Sequence, residues 1–448
     1  LERNPREMNS RLAMGTALVA LQRPADALKA FEDGLRCCVQ KATKCHLQAL
    51  VNWCRGSLEE AVPEIEKACR LDPSNPAHPY RLGRIHLENE HPLEALEAFD
   101  VVLGLCADDT ASLDHSCEAL FQMGRLEEAF RRSRHSLRQD PHSIPALKRC
   151  VEYRCRARRV RRQEGTRIRQ DIRKMLSWSS ETAAVHQTLA GYHAGRGEWE
   201  RALKVMRTLT ARQPKNWLTW FYLAVWLRRA GQRAEAAAAI LESHSLYRND
   251  PRVHCAACPI LAAAGRGVDK DRLVSEMISR FPSRWTVWTT AARELARQAH
   301  KEDKALSASQ RALSLQPKLA QTWFTHGDIL LRLGRSGEAA QHLGEAWRLM
   351  PKRQGNRQEP ALAIRLAECF QSLSKGVETT GWLRRARRSA ARLRRLDPPA
   401  AWLWEGRALE LSGDAQGALR AYRKARSNQL FHPLRGWAEK AMQRLGGG

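Results

Sequence analysis

The stretch AQTWFTHGDILLRLGRSGEAAQHLGEAWRLMP, Ala320–Pro351, decides the fold. It contains two apolar-periodic segments of about a dozen residues, each with the spacing of an amphipathic helix. RLGRSGE separates them, and the glycine of such a turn can end the first helix in a left-handed conformation. Proline closes the unit, because the residue before it disfavours helical backbone. The stretch therefore reads as a helical hairpin.

The same hairpin recurs every 34 residues. Gly15, Ala27 and Phe31 map onto Ala49, Ala61 and Ile65, and then onto Gly83, Ala95 and Phe99. At each step a small residue lets two helices approach, and a large apolar residue fills the adjoining space. Equivalent turns are QMGRLEE, RAGQRAE and LSGDAQG, and prolines at Pro73, Pro141 and Pro214 close other units.

This pattern resembles the tetratricopeptide repeat family. The family's positions fall on Trp323, Gly327, Leu330, Ala339, Leu343, Ala346 and Pro351, and again on Trp402, Gly406, Leu409, Ala418, Tyr422 and Ala425. Units start near residues 8, 42, 76, 110, 144, 183, 217, 251, 286, 320, 360 and 399. Those at 144 and 360 are about five residues too long, and the one at 251 is degenerate. The expected fold is all-α: a right-handed superhelical solenoid of about twelve such hairpins with a C-terminal capping helix. Its divisions are residues 1–7, the tail of a preceding repeat; 8–143, regular and near-neutral; 144–182, an over-long basic repeat or break; 183–431, basic repeats; and 432–448, the capping helix and tail.

Charge divides the chain unevenly. Residues 1–150 hold 20 basic and 22 acidic side chains, whereas 151–448 hold 55 and 26. An asymmetry of this size points to a polyanionic or acidic partner. The densest run is RCRARRVRR, with Arg154, Arg156, Arg158, Arg159, Arg161 and Arg162. Tyr153, Ala157 and Val160 form a narrow apolar seam along it, which predicts a poorly covered helix. Further runs are Arg167–Lys174 and the segment holding Arg384, Arg385, Arg388, Arg392 and Arg395. These arginines are the candidate polyanion contacts. RNA, ribosomal RNA included, fits better than a DNA-reading motif, because no helix-turn-helix, zinc finger or basic zipper is present.

Catalytic signatures are missing. There is no phosphate-binding glycine loop, nucleophile elbow or His-Glu-x-x-His. HCAACP brings His254, Cys255 and Cys258 together, but a second ligand pair is absent nearby, so these read as packed residues, and neither a metal nor a cofactor is expected. Twelve cysteines without a framework pattern read as reduced thiols. This suits an intracellular setting, with the mitochondrion or another organelle among the candidates. No apolar run approaches the ~18 residues of a membrane span.

The resemblance implies a concave face, built from first helices, that holds a peptide or another protein's helix. Family members that clamp a C-terminal carboxylate use lysine and asparagine at set places, occupied here by Gln187 and Gly191, Phe221 and Val225, Phe324 and Asp328, and Leu403 and Arg407. The clamp is therefore absent, and Phe221, Phe324 and Arg407 become the candidate partner contacts. Trp226 and Trp382, each followed by two arginines, read as packed rings or as base-stacking platforms. The function expected is a non-enzymatic scaffold subunit with protein partners and a basic surface for RNA or another polyanion. The alternative is the recruiting arm of an enzyme whose catalytic domain lies upstream of residue 1.

Overall fold

The computed structural model describes residues 5–20, 24–55, 57–89, 91–123, 125–156, 162–179, 182–196, 198–298, 300–350, 358–394, 398–427 and 435–446. Among these there are twenty-five helices and no strand. They form two compact units, Leu1–Cys150 and Val151–Gly448.

The first unit contains α1 (Pro5–Ala20), α2 (Pro24–Cys37), α3 (Lys41–Cys54), α4 (Leu58–Leu71), α5 (Ala77–Glu88), α6 (Pro92–Leu105), α7 (Thr110–Gln122), α8 (Leu126–Gln139) and the first half of α9 (Ile144–Arg156). From α1 to α8 each helix packs on the next. Pro5 lies at the start of α1. Proline is tolerated there because the first helical N–H has no acceptor within the helix.

The second unit continues with α10 (Arg162–Trp178), α11 (Ala183–Gly195), α12 (Trp199–Arg212), α13 (Trp217–Arg229), α14 (Arg233–Leu246), α15 (Pro251–Ala263), α16 (Gly267–Arg280) and α17 (Trp285–Leu295). There follow α18 (Glu302–Leu315), α19 (Ala320–Arg332), α20 (Ser336–Leu349), α21 (Glu359–Ser372), α22 (Gly376–Leu393), α23 (Pro398–Leu411), α24 (Ala415–Ser427) and α25 (Arg435–Arg444). Odd-numbered helices are the first helices of hairpins. From α11 onward each also touches the next odd-numbered helix, giving one row of first helices. The last, α25, buries Ala438, Ala441 and Met442 against Leu403, Ala418 and Tyr422.

The small-to-large pattern works as a lock inside each hairpin. An added Cβ on Gly83 would lie 2.7 Å from the Phe99 ring, and one on Gly327 would lie 2.7 Å from Leu343. Ala27, Phe31, Ala61 and Ile65 are fully buried. Each such large side chain contributes roughly 1.5–3 kcal/mol by leaving water. The turns behave as their chemistry requires: Gly231, Gly334 and Gly413 have φ of 81°, 77° and 87°. Ser374 and His300 adopt the same region at 57° and 64° without being glycine.

The second helices of the long units are themselves longer than those of the others. α10 has 17 residues and α22 has 18, against 14 in α12, α14, α16, α18 and α20. The three and four extra residues add about 4.5 and 6 Å, close to one turn. Both long helices carry basic runs.

Candidate interaction surfaces

Four units place a tryptophan at the fourth or fifth residue of the first helix: Trp220, Trp288, Trp323 and Trp402. Three of these indoles reach back to the preceding turn. Trp220, Trp288 and Trp323 donate Nε1–H to the carbonyls of Pro214, Pro282 and Pro317, at 2.8, 2.7 and 2.6 Å. Each ring thus fastens a hairpin start to the proline that closed the previous unit. Trp402 instead lies beneath Arg394 and Lys424, whose charged groups are 4.1 and 4.5 Å from its ring centroid. These tryptophans are framework.

Trp226 is also framework. It is 5% exposed and packs in the core around α11–α15, with Arg229 over its ring at 5.0 Å. Of the two readings of Trp226, the packed ring is the one its burial supports. Trp382 is half-buried, edge-on to Trp347 at 5.0 Å and covered by Arg385 at 4.5 Å.

The candidate arginines separate into three groups. Arg158, Arg159 and Arg161, with Ala157 and Val160 of the proposed seam, lie outside the described residues, as does Arg395. Arg156 ends α9 and Arg162 begins α10, but their side chains are likewise outside the description. Arg154 is not free, since it pairs with Asp171 of α10 and braces the two helices. On α22 the picture differs. Arg384, Arg385, Arg387, Arg388 and Arg392 are all exposed and occupy about 160° of the helix at 100° per residue. Leu383, Ala386, Ser389, Ala390 and Leu393 are buried on the rest. Arg392 has Glu359 at 3.5 Å. No carboxylate among the described residues pairs with Arg384, Arg387 or Arg388. On α10, Ile168, Ile172 and Met175 are buried, while Arg167, Arg169, Arg173 and Lys174 face solvent.

The first-helix residues are held within the chain. Phe221 is half-buried, edge-on to Tyr222 at 5.4 Å and to Trp217 at 6.5 Å. Phe324 is half-buried against the cluster of Leu330, Leu343 and Leu362. Arg407 belongs to a ladder of charges along the first helices. Asp328 meets Arg365 at 2.7 Å, Arg365 meets Glu368 at 2.7 Å, and Glu368 meets Arg407 at 2.7 Å. Arg407 continues to Glu410 at 3.1 Å, and Glu410 to Arg444 at 3.3 Å. Arg407 is thus paired within the chain with Glu368 and Glu410.

Between α10, α11 and α12 lies an open cleft of about 390 Å³. Leu176, Leu189, Val205 and Leu209 line it, together with the exposed Arg201, Lys204 and Arg212.

Of the HCAACP residues, Cys258 is fully buried, its thiol donates to the His254 carbonyl, and burial pushes its pKa up to about 12. This is a packed thiol, not a reactive one. His254 has a different role. His244 of α14 and Glu276 of α16 join it, a grouping that sequence spacing did not suggest because the three residues come from three helices. Burial, then the neighbouring His254, lowers the pKa of His244. No helix among the described residues is long and apolar enough to cross a membrane.

Fold and surfaces together define a helical-hairpin repeat protein. Residues 47–110, 188–251 and 380–429 match the tetratricopeptide repeat family. These three stretches are tetratricopeptide repeats. It is similar in structure to a tetratricopeptide repeat protein from Parabacteroides merdae, at 17% identity and a TM-score of 0.42, over 57% of this chain and 99% of that one. It is also similar to a chain of the APC/C hetero-tetramer Cut9–Hcn1, at 12% identity and a TM-score of 0.42, over 98% of this chain and 96% of that one. No curated protein matches the chain.

Proposed function

We propose that this chain is a scaffold subunit. Its hairpins engage protein partners, and the arginine face of α22 takes the backbone of single-stranded RNA. The observation that carries the reading is the exposed row Arg384, Arg387 and Arg388, which no carboxylate among the described residues pairs. In other hairpins exposed arginines are commonly neutralised nearby, as Arg207 is by Glu235 and Arg335 by Glu338. Uncompensated like charges repel one another, so a surface that keeps them gains from an anionic counterpart. Guanidinium forks suit phosphate. With no base-reading motif, affinity rests on counterion release and falls steeply with salt. The protein-binding part rests on membership of a repeat family whose members bind protein segments. Fluorescence anisotropy of a labelled single-stranded RNA across a salt series tests the reading. Affinity should fall with rising salt, and absence of binding at low salt would remove RNA from the proposal.

A further inference from the structure

The hairpin of α15 and α16 departs from its neighbours at one informative position. Where Trp220, Trp288 and Trp323 stand fourth in their helices, α15 has His254. Its Nδ1 lies 3.2 Å from the Asp250 carbonyl, to which only an N–H can be directed, so Nε2 carries the lone pair. That lone pair faces His244 Nε2 at 3.2 Å. Glu276 completes the group through both carboxylate oxygens: Oε2 lies 3.5 Å from His244 Nε2 and Oε1 lies 3.7 Å from His254 Nε2, and one donor atom from each residue falls within 4.8 Å of the others.

These separations are close to those of a metal's donors, and a small movement of the Glu276 carboxylate brings one oxygen within reach of both histidines. Zinc bonded at about 2.0–2.2 Å in a tetrahedron holds neighbouring ligand atoms about 3.3–3.6 Å apart. Two imidazoles and one carboxylate are a recognised zinc donor set that leaves a fourth position for water. The hydrogen bond from His254 Nδ1 to a backbone carbonyl is the outer contact that fixes a ligating histidine's tautomer and direction. Both histidines are buried, Phe281 packs edge-on to His254 at 5.3 Å, and Glu276 is 24% exposed and open to entry. Arg280, 3.9 Å from Glu276, is directed mainly to Asn249 at 2.7 Å, so it does not block the carboxylate.

We propose that His244, His254 and Glu276 bind one Zn²⁺, stapling α14, α15 and α16 at the repeat whose sequence departs most from the common pattern. The three ligands come from three helices and tie one hairpin to the next.

Titration of the metal-free full chain with Zn²⁺, followed by calorimetry and by melting temperature, tests this. His244→Gln and Glu276→Gln are the variants, since neither deletes the packed ring of His254. The intact chain should bind one equivalent tightly and melt at a higher temperature with zinc. Each variant should weaken that binding by more than the roughly 10–100-fold that loss of an outer-shell partner costs, and should lose the zinc-dependent shift while keeping its helical circular dichroism. If a variant unfolds, Co²⁺ added to the intact chain gives a second reading: tetrahedral d–d absorption supports the site, and an octahedral spectrum contradicts it. A melting temperature indifferent to zinc, or tight binding unchanged in both variants, overturns the proposal and leaves a plain histidine–histidine hydrogen bond.

Discussion

A Cβ placed on Gly406 would sit 2.7 Å from the ring of Tyr422, which is itself 1% exposed and donates its hydroxyl to Glu410 at 2.6 Å. The glycine is needed so that α23 and α24 can close on a large side chain. Gly406→Ala should therefore destabilise the chain by about 1–3 kcal/mol, as overpacking does. Thermal melting checks it; an unchanged melting temperature would mean that the hairpin can open without cost.

Trp323→Phe keeps an aromatic ring but removes the N–H that reaches Pro317. The expected loss is about 0.5–1.5 kcal/mol, the net value of one hydrogen bond. Urea denaturation of the variant measures it. A larger loss would show that the six-membered part of the indole, and not the N–H, fastens the turn.

Ser374 ends α21 with φ of 57°, where sister turns have glycine. Ser374→Gly relieves left-handed strain at an exposed site and should raise stability by about 0.5–1 kcal/mol. A lowered melting temperature would contradict the strain.

His46 is buried with its Nδ1 2.7 Å from that of His78. Burial, then Arg81, then His78 lower its pKa from 6.5 to about 3. The folded state thus binds fewer protons than the unfolded state below pH 6.5. Its contribution is fully present above 6.5 and is lost as pH falls toward 3, by on the order of 3 kcal/mol. His326, lowered to about 4 mainly by burial, acts in the same direction. Melting curves from pH 7 to 4 should fall less steeply for His46→Gln than for the parent. Parallel curves would show that His46 is not protonated on unfolding.

The hairpins were legible in sequence because backbone periodicity, turn glycines and small-to-large spacing are local properties. Gly83 and Phe99, or Gly327 and Leu343, meet as their sixteen-residue separation requires. The proline-to-tryptophan link was equally local, recurring six residues apart, but became visible only once the indole N–H had a direction. Other features depend on neighbouring helices. Trp226 and Trp382 have arginines beside them in sequence, yet packing decided that one is core and the other half-covered. Arg154 and Arg407 look like free charges until Asp171, Glu368 and Glu410 arrive from elsewhere. His244, His254 and Glu276 share no motif, since three helices supply one ligand each.

The RNA claim rests most directly on α22. The measurement is anisotropy of a labelled single-stranded RNA with the parent chain and with the triple variant Arg384→Glu, Arg387→Glu, Arg388→Glu, at several salt concentrations. All three side chains are exposed, so helical circular dichroism and melting temperature should be preserved. The account predicts weaker binding in the variant at every salt concentration and a shallower dependence of affinity on salt, each lost phosphate contact reducing the slope by about 1. Equal affinity and equal salt slope in a folded variant would contradict it.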